Sequence, residues 1–391
     1  MSVRSICSLK APGWNDKARR SLQQLIARGA GKGLPVVFDF DNTIISGDVG
    51  EATLAILGAE GRLTPANLSK TLCPKIQVPG KHKITLEQCS DIMEYYEVLL
   101  SPTAHGSADT TPLGNGYVWA AQALEGLSVA EVVAATARVF DIGQRPGNLQ
   151  IHVTPGKTSY PAPRFREEMV ELIAQLLRFK YEVWIVSASN VWSVRWMVLF
   201  GLNPRLKKYG VRTGLSPKHV IGVATLLTDP LDRLYKDSVL LKENSGYAAM
   251  RRKSLKTIRL TRHLQFPASV YSGKVACILD AIGRNPYFCA GDNPSDHPMM
   301  KISRYRLWIA RLEKPLAQQA TSALIKQTGT AGWILQICSE ADGPRFVPDL
   351  DGELVRGSSQ KIWKRSAAIL RQLDRRLSIK DLRHQPKLQL S

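Results

Sequence analysis

An α/β fold, with a doubly wound parallel sheet and a helical insertion after its first strand, is what this sequence predicts. Three observations carry that reading. Leu34 to Phe40 is an apolar run broken only by Asp39, too short for a helix and rich in β-formers, as expected of a strand buried on both faces. Residues 166–179 are amphipathic, with Met169, Leu172, Ile173, Leu176 and Leu177 on one face, and lead straight into the apolar run from Tyr181 to Val186. The same succession of helix and strand returns at 276–282 and 287–290. Alternation of this kind lays helices over a parallel sheet.

Residues 18–29 place Leu22, Leu25 and Ile26 at helical spacing and stop at Gly29, a residue suited to a helix end. After the first strand the texture changes, from about Asp48 to Pro161. Leu86, Cys89, Met93, Tyr96 and Leu100 form one helical stripe over 86–100. Ser128-Val129-Ala130-Glu131 is a capping box, in which hydroxyl and carboxylate each accept an otherwise orphaned backbone N–H, and it opens a helix through Phe140. Between them Ser101 to Gly116 is rich in Pro, Gly, Ser and Thr and reads as an exposed loop.

At 391 residues the chain has room for a large core with an insertion, or for two domains. The expected organisation is a discontinuous core, 14–47 and 162–335, a helical cap over 48–161, and a basic C-terminal extension over 336–391 holding one amphipathic helix.

Hydrophobic content of 44% and charged content of 22% exclude global disorder. No apolar run approaches the ~18 residues of a membrane span, and the N-terminus lacks the apolar core of a secretory signal. Six scattered cysteines without a C-x-x-C pair suit reduced thiols, so the expected location is the cytoplasm, with export by a route needing no such signal left open.

The net charge of +20 admits an anionic partner (nucleic acid, a membrane surface, a phosphorylated substrate) or simply a basic surface in water. Residues 251–262 carry six basic side chains and no acid. Over 356–387 a basic stretch has Ile362, Ile369, Leu373 and Leu377 at helical spacing, which favours a helix packed on the body with its charges in water over contact with nucleic acid or an anionic membrane.

The chemistry lies in four segments: Asp39-Phe40-Asp41-Asn42-Thr43, Ser187, Lys274 and Gly291-Asp292-Asn293-Pro294-Ser295-Asp296. The first, second and fourth follow apolar runs. Asp39 and Asp41, two apart on extended backbone, face one side. An ionised aspartate can attack phosphorus, and a carboxylate beside it can protonate the leaving oxygen and later activate water. Two anions facing a phosphate need cations. Asp292 and Asp296 complete an oxygen-rich Mg²⁺ site, Lys274 holds phosphate oxygens, and Ser187 with the backbone N–H of Ala188 adds donors.

These segments resemble the motifs of the haloacid dehalogenase superfamily, namely an apolar strand ending in DxDxT, a strand ending in serine or threonine, a lysine, and GDxxxD. The likeness is greatest to its phosphoserine phosphatase-like branch with a helical cap, which includes phosphorylcholine phosphatase-like proteins, and it covers about Trp14 to Ala310. It implies a Rossmann-like core and Mg²⁺-dependent hydrolysis of a small phosphomonoester, with the cap closing to exclude bulk water. It further implies that Asp39 is the nucleophile and Asp41 the general acid/base. Asp39, the backbone carbonyl of Asp41 and Asp292 would bind the metal with Asp296 in support, and Ser187, Ala188, Lys274 and Thr43 would surround the phosphate. Asp48 falls where phosphoserine phosphatases carry a glutamate that contacts the substrate amine.

Asp48 is one methylene shorter than that glutamate, Ser295 stands where relatives often have asparagine, and the segment between Ser187 and Lys274 is longer. These departures weaken phosphoserine itself as substrate and leave the hydrolytic centre intact. Glu51, Glu94, Tyr95, Tyr96 and Glu97 offer an aromatic and acidic set for an amine, or else simply pack and solvate the cap. Two other readings stand: a phosphatase recruited to nucleic-acid ends or another large anionic substrate by the basic segments, and a scaffold on the same fold. Gly156-Lys157-Thr158 is no nucleotide loop, since Ile151 stands where that loop needs glycine, and seven scattered histidines give no zinc spacing. His297, beside the Asp292–Asp296 loop, has two readings, contact with substrate or metal water and a supporting or structural role, of which the second is expected.

Overall fold

The structure, a computed structural model, describes residues 7–69, 72, 76–77, 83–100, 115–147, 149–242, 252–340, 343–356 and 361–377. Seven strands build the main sheet: β1 Pro35–Phe38, β2 Glu182–Asn190, β3 Val220–Val223, β4 Phe288–Gly291, β5 Tyr305–Arg311, β6 Trp333–Ser339 and β7 Arg345–Val347. Their spatial order is β7-β6-β5-β4-β1-β2-β3. All pairs are parallel except β6 with β7. From β1 the chain winds outward to β3, then restarts at β4 on the other side. The winding therefore reverses between β1 and β4, where the strand ends leave an open crevice.

The pleat explains why β1 reads as unbroken apolar sequence. Val36 and Phe38 belong to one buried cluster with Leu22, Leu25, Leu172 and Ile173, whereas Val37 belongs to a second with Ile278 and Met300. Alternate residues thus serve two covered faces.

The segment after β1 folds largely on itself. Helices Val49–Ala59, Ile92–Leu100, Asn115–Gln122 and Val129–Gln144 share a separate apolar cluster containing Leu54, Tyr95, Trp119 and Val132. The Ser128–Glu131 capping box is present. The helix of the 86–100 stripe begins only at Ile92, because the Asp91 carboxylate accepts the N–H groups of Met93 and Glu94 at 2.9 and 3.0 Å and so starts it there. Residues 101–114 of the expected loop lie outside the described residues, while Asn115 and Gly116 open a helix.

Two parts of the expected organisation lie elsewhere. A three-stranded antiparallel sheet, Thr225–Thr228, Leu234–Tyr235 and Arg259–Leu264, sits within the span expected for the core, yet Leu227 and Leu260 pack into the insertion's cluster. Arg259 and Arg262, from the basic 251–262 segment, stand 3.7 and 3.9 Å from Glu131 and Glu125 of the insertion.

The expected extension from 336 begins inside β6, so it belongs to the core. Helix Lys361–Arg376 packs Trp363, Leu370 and Leu373, with Leu377 just beyond, against Leu324, Ile325 and Trp333. Its buried stripe starts at Trp363, and Ile362 is 44% exposed. A helix turns by 100° per residue, so the indole one position on takes the inward face. Lys364, Arg365, Arg371, Arg375 and Arg376 point to water. Among the described residues, no helix is long and apolar enough to cross a membrane.

Candidate functional site

Asp39 follows β1 directly, and its N–H bonds the carbonyl of Ala290 on β4 at 2.9 Å, which fixes it at the reversal point. Three residues on, the chain turns sharply. Asn42 adopts φ 55°, a left-handed conformation that asparagine tolerates better than most residues, and its N–H bonds the Gly47 carbonyl at 2.9 Å. The turn brings Asp48 to cap helix Val49–Ala59, its carboxylate accepting the Glu51 N–H at 2.9 Å. The first N–H of that helix, on Val49, then donates to Asp41 Oδ1 at 2.7 Å.

Lys274 comes from helix Ser272–Ile282 and is 1% exposed. Its Nζ lies 2.6 Å from Asp39 Oδ1 and 2.6 Å from Asp296 Oδ1. Asp296 Oδ2 accepts the N–H groups of Asp292 and Asn293 at 3.1 Å each. The β4 end must be glycine for this, since a Cβ on Gly291 would stand 2.5 Å from that same oxygen. The Thr43 hydroxyl is shared between Asp39 Oδ2 at 3.2 Å and Asp292 Oδ1 at 3.4 Å.

A second group surrounds Asp41. Ser187 Oγ donates to its Oδ2 at 3.0 Å and Ser189 Oγ at 2.7 Å. Ser189 Oγ also lies 3.2 Å from Asp48 Oδ1. Ser187 sits within β2, which continues to Asn190; Asn190 caps the next helix by accepting the Ser193 N–H at 2.9 Å. Ala188 is half-buried beside Val270 and Tyr271.

Burial sets the electrostatics. It pushes the carboxyls of Asp39 and Asp41 well above their usual range, reinforced by the charge of Asp296 for Asp39 and of Asp48 for Asp41. Asp292 rises to about 6, chiefly through burial and against the pull of Arg311. Burial opposes the charge on Lys274, yet Asp296 and Asp39 outweigh it and hold the ammonium above its ordinary value. Asp39, Asp41, Asp48, Asp292 and Asp296 face two close cations, Lys274 and Arg311, so ionisation of all five would leave negative charge uncompensated. Carboxylate oxygens of the buried Asp39, Asp292 and Asp296 lie within 4.8 Å of one another. A hard divalent cation fits that set of donors.

The structure therefore brings together every segment singled out in the sequence, and adds two residues. Ser189 is two positions beyond Ser187 on extended backbone, so the same period of two that paired Asp39 with Asp41 points to it. Arg311 ends β5 and reaches Asp292 Oδ2 at 2.9 Å. It too stands at the end of an apolar run, Leu307 to Ala310.

Of the aromatic and acidic set, Glu51 and Tyr96 pair with each other, the phenol donating to Glu51 Oε1 at 3.4 Å. Tyr95 is buried against Trp119, Glu97 accepts the Tyr160 hydroxyl at 2.6 Å, and Glu94 accepts the Ser90 N–H at 2.5 Å. His297 Nε2 is 2.9 Å from Thr321 Oγ1, and burial lowers its pKa to about 4, consistent with a neutral structural ring.

No family model matches the chain, and no curated protein does. Among solved structures, a protein of unknown function from Anaerococcus prevotii DSM 20548 is similar with a TM-score of 0.58 and 17% identity, over 87% of this chain and 97% of that one. That likeness shows a shared fold. A protein of unknown function from Bordetella pertussis Tohama I gives 0.41 at 16% identity over 77% and 96% of the two chains. A substrate-bound phosphoserine phosphatase gives 0.36 at 14% identity over 73% and 90%.

Proposed function

We propose that this chain is a haloacid dehalogenase superfamily phosphatase, a phosphoric monoester hydrolase working through an aspartyl-phosphate on Asp39. The observation that carries this is the convergence of Asp39, Asp41, Ser187, Lys274, Asp292 and Asp296 on one crevice at the β1–β4 reversal. A scaffold has no use for that convergence.

An Asp39 carboxylate oxygen forms a bond to phosphorus as the bond to the leaving oxygen breaks, and Asp41 gives that oxygen its proton. Burial keeps Asp41 protonated to a higher pH than a free aspartate, which suits an acid in this first step. Water then attacks the phosphoaspartate, Asp41 takes up the water's proton, and phosphate leaves with Asp39 regenerated. Ser187 and Ser189 orient Asp41, while Lys274 offsets charge at Asp39 and, with Ser187, lies where phosphate oxygens would need donors.

Asp39, Asp292 and the Asp41 carbonyl, supported by Asp296, would hold Mg²⁺, which when bound supplies the positive charge that lets a carboxylate approach a phosphate dianion. The substrate we favour is a small phosphorylated metabolite of the phosphoserine or phosphorylcholine kind, because the insertion stands over the crevice through helix Val49–Ala59 and presents the Glu51–Tyr96 pair. We place the reaction in the cytoplasm, in keeping with the free thiols of Cys7, Cys89, Cys277, Cys289 and Cys338.

Hydrolysis of an aryl phosphate with and without Mg²⁺, by wild type and Asp39→Asn, is the test. Turnover is expected to require Mg²⁺ and to fall by roughly a thousandfold or more in the variant. Persistent turnover by Asp39→Asn would reject Asp39 as nucleophile.

A further inference from the structure

Beside the catalytic crevice lies a cavity of about 300 Å³ whose wall includes Asn42, Gly47, Arg311, Glu313, Lys314 and Glu340. Asn42 directly follows Asp41, and Arg311 is ion-paired with Asp292, so cavity and crevice share a wall. The charges that line it are unequally committed. Glu340 is paired with Arg166, and Glu313 accepts the Ser339 hydroxyl at 3.1 Å and the Glu340 N–H at 3.0 Å. Glu340 and the Oε1 of Glu313 thus face protein donors.

The cations are less committed. Arg311 uses one terminal nitrogen on Asp292, and its Nε is buried with no hydrogen-bond partner among the described residues. Lys314 is exposed, and its ammonium makes no ion pair among the described residues. A buried guanidinium donor without a partner is costly unless an acceptor arrives. Guanidinium and ammonium side by side at the rim of a phosphate-handling site make a receptor for a compact anion.

We propose that this cavity is an anion subsite for the leaving group, in which Arg311 and Lys314 hold a second anionic group of the substrate. The preferred substrates are then phosphomonoesters that also carry a carboxylate or a second phosphate. This deepens the hydrolase reading and rests on it, and it narrows the substrates favoured above by excluding the phosphorylcholine kind, which carries no second anionic group. Arg311 would act here by binding substrate, with Asp292 holding the guanidinium in place.

The test measures binding to the Asp39→Asn protein with Mg²⁺ present, by titration calorimetry. Three compounds are compared: ethyl phosphate, phosphoglycolate and ethylene glycol bisphosphate. Either doubly anionic compound is expected to bind about tenfold tighter than ethyl phosphate, the size of one charge-assisted contact. The two separate a carboxylate from a phosphate as the second group.

Lys314→Gln and Arg311→Gln, each confirmed folded by thermal unfolding, should bring that ratio to within about twofold. Lys326→Gln, an exposed lysine on helix Pro315–Thr328, should leave it unchanged. Should Arg311→Gln fail to fold, the exposed Lys314 still decides the matter. Equal binding of all three compounds, no binding by any, or a ratio indifferent to Lys314→Gln overturns the subsite. Wild-type turnover of the same compounds separates the two readings. Hydrolysis without preference keeps the hydrolase and removes the subsite, and preferential binding without hydrolysis does the reverse.

Discussion

Asp41 holds three hydrogen bonds from two places in the chain, and that single side chain shows what each neighbour does. Val49 N–H, Ser187 Oγ and Ser189 Oγ all point to it. Ser189 is the shortest hydroxyl contact and also touches Asp48, so its loss should free two buried carboxylates at once. Ser189→Ala is expected to lower kcat about tenfold or more and to cost about 1–2 kcal/mol in denaturant unfolding.

Glu51 supplies a prediction in pH. Burial first, and the charge of Asp48 second, raise its carboxyl from 4.5 to about 8. In the unfolded chain it ionises near 4.5, so between 4.5 and 8 the unfolded state binds fewer protons and stability falls as pH rises. Below that window the loss is absent, and above it the loss is constant. Glu51→Gln removes it, so the Tm difference between variant and wild type should grow from pH 5 to 8 and level off beyond. A difference flat in pH would contradict the assignment. Asp39, Asp41, Lys274, Asp292 and Asp296 were legible as chemistry from their sequence alone. Ser189 and Arg311 were not singled out, because a serine or arginine gains meaning here only from the carboxylate opposite it.

Helix Val49–Ala59 is the element that joins insertion to site. It begins under Asp41, and Thr53 along it lies 3.2 Å from Thr136, which is 2.8 Å from Ser193 on the core side. These buried hydroxyls tie the insertion to the helix that follows β2. Gly50 packs so closely that a Cβ there would stand 2.6 Å from Ser189 Oγ. Gly50→Ala should therefore displace Ser189 and reduce kcat about tenfold. The Tm should fall no further than in Ser189→Ala, because alanine favours the helix by up to ~1 kcal/mol and offsets the crowding. An unchanged kcat would show that Ser189 can turn aside without consequence.

At this scale the sequence was informative where the signal is local. The capping box, the strand runs and the helix before β2 appear as expected. The 86–100 stripe was placed too early, since apolar spacing does not record which carboxylate caps the helix. In the final helix the spacing of Ile362, Ile369 and Leu373 suggested one face, and burial of Trp363 selected its neighbour.

For the whole molecule, the main departure is where the core ends: the segment from 336 on, expected as an extension, completes β6 and adds β7, while its helix packs on the body as expected. β5, β6 and β7 extend the sheet beyond β4, and helix Lys361–Arg376 packs beside helix Pro315–Thr328 in the apolar cluster that also holds Trp333 of β6. That helix is core, and its basic side chains form a solvated outer face. Trp363, fully buried, is the test. Trp363→Ala should destabilise the protein by about 3–5 kcal/mol, read from denaturant midpoints. A loss below 1 kcal/mol would return the segment to an appended tail.

Charge sums and composition could not have settled this, since +20 is compatible with a basic tail or with a basic skin on a packed helix. By itself the sequence determined the α/β class and the kinds of groups at work, because strand burial and motif chemistry are written in residues a few positions apart. Only the tertiary structure decided which groups meet. Lys274 reaches Asp39 across 235 residues and Thr43 reaches Asp292 across 249, and such meetings depend on strand order, which no local pattern encodes.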